Sequence, residues 1–110
     1  MYRVVLGILL LAHGLIHFIG FMRAFQPGMT LQITKQISAP VGIVWLITAL
    51  LFLTAAALKA FRNDYWWVPA LLAVVVSQIL IISTWADAKY GTLANAAILL
   101  ACLVFMGNFF

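Results

Sequence analysis

Histidines 13 and 17 are the side chains of this sequence best equipped for chemistry, in the stretch "AHGLIHFIG" covering residues 12–20. A spacing of four stacks both rings on one helix face, about 6 Å apart. Two neutral imidazoles so placed can chelate one metal ion, with Asp87 as the natural third ligand, or pass protons. They can equally hydrogen-bond a hydroxyl or carbonyl on a facing helix and hold a bundle together. The residues leave all of these open. Axial haem ligation fits poorly, because two histidines on one turn cannot sit on opposite sides of one iron. The surrounding run, Val4 to Phe21, is apolar, and an ionisable group at membrane depth normally faces protein or water.

A second constellation lies in "SQILIISTWADAKYGTLANAA", residues 77–97. Gln78 sits in the middle of an apolar run, where an unpaired amide is costly, so it should find a partner inside a bundle. Asp87 and Asn95 flank a turn, and either could cap the orphan amides of the helix that follows. Thr92 is the expected N-cap of the following helix, with Asn95 at its third position. His17 lies towards the end of its run where Asp87 also emerges, which predicts a His17–Asp87 contact. Ala94, Ala97 and Ala101 form a small-residue stripe that reads as a packing seam. Trp45, at a depth similar to His17, Phe21 and Phe25, could line an amphipathic pocket for a lipid or quinone. Plain packing accounts for the same residues. Trp85 fits an aromatic belt at a membrane interface.

These residues need elements to carry them, and composition says which. Of 110 residues, 67% are hydrophobic and 7% charged, against about 25% charged in an ordinary soluble domain. The expected solvent is therefore lipid. Four apolar runs, about 4–22, 41–58, 68–85 and 92–109, approach the roughly 20 residues needed to cross hydrocarbon as helices. The alternation of barrel strands is absent. The small-residue cleavage pattern of a signal peptide is missing, so the first run should remain a span. Short links at 61–69 and 87–92 force antiparallel neighbours. The longer link, 23–40, reads as a short segment on the bilayer surface. Trp66 and Trp67 are expected at headgroup level.

Six basic residues give a net charge of +4, but they are scattered, which excludes a nucleic-acid surface. Arg3, Lys59 and Arg62 fall on one side, and Arg23, Lys35 and Lys89 on the other. This tie leaves orientation unset by the positive-inside rule; the amino terminus favours both ends in the cytoplasm. Cys102, the single cysteine, reads as a small buried apolar side chain. No nucleophile motif, phosphate loop, dinucleotide fingerprint or Cys-x-x-Cys is present, so an enzyme would have little to work with.

The segments "HGLIHFIGFMRAF", "ISAPVGIVWLITALLFL" and "WADAKYGTLANAAILL" together resemble a family of small bacterial four-helix membrane proteins of unknown function. The motifs His-Gly-x-x-His and Asp-Ala-Lys-Tyr-Gly-Thr-x-x-Asn carry the resemblance, which covers nearly the whole chain. It implies a topology and no activity; in some relatives a similar segment precedes a soluble domain. A weaker similarity is to DoxX-like membrane proteins. Small multidrug-resistance transporters share the length and helix count, but their proton-coupling glutamate has no counterpart, as the chain contains no glutamate.

The expectation is an all-α integral membrane four-helix bundle, up-down-up-down, forming a single domain over 1–110 in a bacterial inner membrane. Its role would be that of a non-enzymatic accessory or lipid- or quinone-like ligand-binding module. Alternatives are a transporter or channel subunit with a histidine relay, and a metal- or quinone-linked redox component. The expected site comprises His13, His17, Gln78, Asp87 and Asn95 with Trp45 and Trp85. Any metal would use His13, His17 and Asp87, and no cofactor is otherwise implied. The expected partners are the bilayer, a second copy or another membrane protein.

Overall fold

The computed structural model describes residues 2–25, 38–83, 85 and 89–109. It is all-helical: α1 (Tyr2–Phe25), α2 (Ala39–Ala60), α3 (Trp67–Ser83) and α4 (Gly91–Phe109), with no strand among the described residues. The expected surface segment falls largely on residues 26–37, outside those described. Helices α1 and α2 run past the apolar cores expected for them at both ends, and each is long and apolar enough to cross a membrane. The other two apolar helices are shorter. At 1.5 Å per residue, the 17 residues of α3 cover about 26 Å.

Proline sets two of the helix starts. Pro40 occupies the first turn of α2, where its missing N–H is no loss. Extended Ser38 precedes it, its carbonyl accepting the Gly42 N–H at 2.8 Å. Pro69 sits equally early in α3. At its other end α2 closes in a Schellman turn: Asn63 N–H donates to Leu58 O at 2.8 Å and Arg62 N–H to Lys59 O at 3.0 Å. The left-handed residue of such a turn is usually glycine. Here it is Arg62, at φ 59°.

Chain neighbours are spatial neighbours. Helix α1 lies along α2, α2 along α3, and α3 along α4, while α4 returns to α1 over a smaller area. The inward stripe of α1 is Leu6, Leu10, His13, His17 and Gly20, stepping by three and four. Helix α3 contributes Ala70, Ala73, Val74, Ser77, Leu80 and Ile81. The interior is layered. One apolar cluster gathers Leu10, Phe52, Trp66, Ala73, Ile98 and Cys102; another centres on Trp45 and Leu80. Buried His13, His17, Thr48, Ser77 and Asn95 make up the polar part of the interior.

Three expectations change in the structure. Trp66 points inward and is only 1% exposed, its ring edge against Phe105 at 5.6 Å and beneath the Lys59 ammonium at 4.8 Å. It plugs one end of the core. The buried line of α4 is Asn95, Ile98 and Cys102; of the alanine stripe, Ala101 packs against the core and Ala94 is half-buried, whereas Ala97 is exposed. Cys102 is buried, as a small apolar side chain should be, with its Sγ 3.9 Å from Trp67 O. Finally, α4 begins at Gly91, so Thr92 lies inside it rather than at its N-cap, and the Thr92 and Asn95 side chains meet α3.

Candidate functional site

Position, rather than residue type alone, decides what the histidines do. His13 and His17 project from successive turns of α1 with their rings edge to face, centroids 4.7 Å apart. Phe52 of α2 touches both, at 4.9 and 5.1 Å, and Trp45 lies against His17 at 5.3 Å. Glycines bring α2 this close. A Cβ on Gly14 would fall 2.9 Å from Phe52 Cβ and 3.2 Å from Ala49 O; one on Gly20 would strike the Trp45 indole. Gly91 performs a similar service for α4, as a Cβ there would meet Ile81 at 2.8 Å and approach the His13 ring at 3.6 Å.

Three imidazole nitrogens, His13 Nε2 and both of His17, are engaged by α3, α4 and the α1 backbone. His17 Nδ1 lies 2.7 Å from the carbonyl oxygen of His13, which can only accept, so Nδ1 carries a hydrogen. His17 Nε2 is 2.7 Å from Ser77 Oγ, and His13 Nε2 is 2.9 Å from Asn95 Oδ1. The Asn95 amide donates to Ser77 Oγ at 3.0 Å and to Gln78 Oε1 at 3.1 Å. Gln78 in turn donates to Thr92 Oγ1 at 3.1 Å.

These partners give the network a consistent direction. Asn95 Oδ1 accepts, so His13 Nε2 donates. Ser77 Oγ accepts from Asn95, which leaves its own hydrogen available to His17 Nε2 when that ring is neutral. The result is a closed circuit running one way: His13 to Asn95, Asn95 to Ser77, Ser77 to His17, and His17 back to the His13 carbonyl. Hydrogen bonds arranged head to tail polarise one another and strengthen. Chemically, the arrangement ties three helices together and leaves neither His17 nitrogen without a partner.

Of the expected site residues, the structure brings together His13, His17, Gln78 and Asn95. Trp45 packs beside them, 2% exposed, its Nε1 without an acceptor among the described residues. Trp85 is half exposed and takes no part in the hydrogen-bonded circuit. Asp87, and with it the expected His17–Asp87 contact, lies outside the described residues. Among those described, no three His, Cys, Asp or Glu side chains converge as metal ligands. Ser77 was not singled out by sequence, although it is the hub between His17 and Asn95. The signal was available: with Ala70 and Ala73 it makes a small-residue stripe that lets helices close in.

An open groove lies elsewhere, between α1 and α2 near the α2–α3 turn, with a volume of about 710 Å³. Apolar side chains form its walls, while Lys59 and Arg62 line it from the end of α2. Comparison with protein-family models, with curated proteins and with solved structures finds no match to the chain.

Proposed function

We propose that this chain is an integral membrane four-helix module, up-down-up-down with both termini on one side, acting as a non-enzymatic accessory protein. One observation carries the reading: the distribution of polarity is inverted. Five polar side chains are buried, whereas Val4, Ile8, Ile79, Ile82, Leu93 and Leu100 are each at least 60% exposed. Water penalises such a surface, and monomeric soluble proteins rarely expose apolar patches beyond a few hundred Å². Lipid does not penalise it. The long axis of 45 Å matches a bilayer of about 40–45 Å with its headgroups.

Antiparallel neighbours are supported by the register of α1 on α2, since Gly14 meets Phe52 while Gly20 meets Trp45. The polar circuit is assigned to assembly: it joins α1, α3 and α4, and its donors are directed at protein acceptors. The bacterial inner membrane and kinship with small four-helix membrane proteins belong to the same proposal, resting on the His-Gly-x-x-His and Asp-Ala-Lys-Tyr-Gly-Thr-x-x-Asn motifs. Alkaline carbonate extraction, together with protease access to tags on each terminus, tests the arrangement. The protein should stay in the membrane pellet with both tags on one side. Extraction as a folded soluble protein, or tags on opposite sides, would refute it. For the assembly role, replacing both histidines with leucine should collapse thermal stability; a variant as stable as the parent would reassign them to a ligand.

A further inference from the structure

We infer that this chain enters the membrane in both orientations, so that across the population each end of the bundle faces both compartments; this rests on the membrane reading above. The packing of the helices shows which basic residues share an end. The groove between α1 and α2 is lined by Val4 together with Ala60 and Arg62, so the start of α1 lies beside the end of α2. Arg3, in the first turn of α1, therefore shares an end with Lys59 and Arg62. At the other end Gly20 of α1 meets Trp45 of α2, and Gly91, the first residue of α4, meets Ile81 near the close of α3. Arg23, in the last turn of α1, and Lys89, just ahead of α4, belong there. Lys35 lies in sequence between α1 and α2 and completes that set.

Orientation follows the difference in Lys and Arg between the two sides, counted within about 15–20 residues of the spans, with acidic residues contributing little. All six basic residues of this chain lie inside that reach, three at each end, so the difference is zero. The acids keep the balance: Asp64 follows α2 and Asp87 precedes α4, one at each end. Lys59 counts although its ammonium lies over the Trp66 and Phe105 rings in the folded bundle, because the rule acts on the chain as it inserts. Aromatic anchors do not distinguish the ends either. Phe61 and Tyr65 are exposed at one, Trp85 and Tyr90 at the other, and such residues serve both faces of a bilayer alike. Helices α3 and α4 contain no charged residue, so neither favours one direction of passage. The amino terminus weights the mixture towards cytoplasmic ends without abolishing the other orientation. The even number of helices keeps both termini together in either. As an accessory module the chain then has no fixed sidedness, and each of its turns is offered to partners in both compartments.

The test places one reporter cysteine in the exposed turn between α2 and α3, as Asn63→Cys in a Cys102→Ala background. It is labelled in intact cells with a membrane-impermeant maleimide, before and after permeabilisation. The reagent should reach one fraction of the molecules from outside and the remainder only after permeabilisation. Arg62→Gln leaves two basic residues at that end against three, so it should carry the turn outward and raise the outside fraction towards all. Lys89→Gln leaves three against two and should lower that fraction towards none. Opposite shifts from equal losses of charge separate insertion from misfolding, which would move both variants the same way. Labelling of the parent from one side alone, or variants that shift together or not at all, would overturn the inference. Failure of the membrane reading is separately visible, because carbonate extraction of the same cells would then release the protein from the pellet.

Discussion

Replacing Asn95 with leucine removes the residue on which the polar circuit turns while keeping the number and branching of its heavy atoms. The amide makes three hydrogen bonds, to His13, Ser77 and Gln78, at 2.9, 3.0 and 3.1 Å. Interhelical hydrogen bonds in membranes average about 0.6 kcal/mol each and reach about 1.7, so losing three should cost about 2–5 kcal/mol. The upper part of that range is expected, because the His13 N–H and the Gln78 carbonyl lose partners at sites sealed from water. The single cysteine offers the assay. Cys102 is fully buried, so its labelling by a maleimide, followed against the mole fraction of a denaturing detergent, reports unfolding. Asn95→Leu should shift the transition by the stated amount. In a double-mutant cycle, His13→Leu and Asn95→Leu should show a coupling of at least about 1 kcal/mol. An Asn95→Leu protein within about 0.5 kcal/mol of the parent, or strictly additive single effects, would refute the claim that the circuit holds the bundle.

Ser77→Ala leaves His17 Nε2 without a donor but spares the His13–Asn95 bond, so the same labelling assay should show a smaller loss of about 1–2 kcal/mol. Gly20→Ala drives a methyl into the body of the Trp45 indole, a rigid obstacle, and should cost about 3 kcal/mol or more; Gly7→Ala meets open space and should be neutral or stabilise by up to about 1 kcal/mol. Detergent melting of this pair gives a direct comparison, and equal effects would contradict the packing of α1 on α2. Arg62→Gly relieves a left-handed side chain and should raise stability in neutral detergent by about 1 kcal/mol, readable as a higher melting temperature.

Much of this fold is legible in the residues, for reasons that can be stated. Apolar runs with polar breaks define four helices, since hydrophobic length is a property of sequence alone. A helical spacing of four puts both histidines on one face, and the cost of an unpaired amide points to an inward partner for Gln78. What those partners are depends on the relative rotation of helices far apart in the chain, which no local spacing encodes. Asn95 reads as a capping residue because it follows a turn, yet its helix is rotated so that it faces His13. Trp66 reads as an interface residue by its neighbours, but the turn after α2 carries it under Lys59 and into the core. Ser77 is inconspicuous until α1 and α4 converge on it. The groove at Gly7 is likewise invisible in sequence, where Gly7 and Gly14 look alike.

The link from His13 to Asn95 joins α1 to α4, far apart in the chain. While the ribosome has delivered only α1 to α3, the His13 N–H has no acceptor from α4, and Gln78 and Ser77 lack the amide that later sits between them. A nascent chain halted at that stage would leave these polar groups uncompensated. Arrival of α4 quenches all of them at once. Burial of the polar centre is thereby coupled to the arrival of α4, and a product cut short before α4 would lack it.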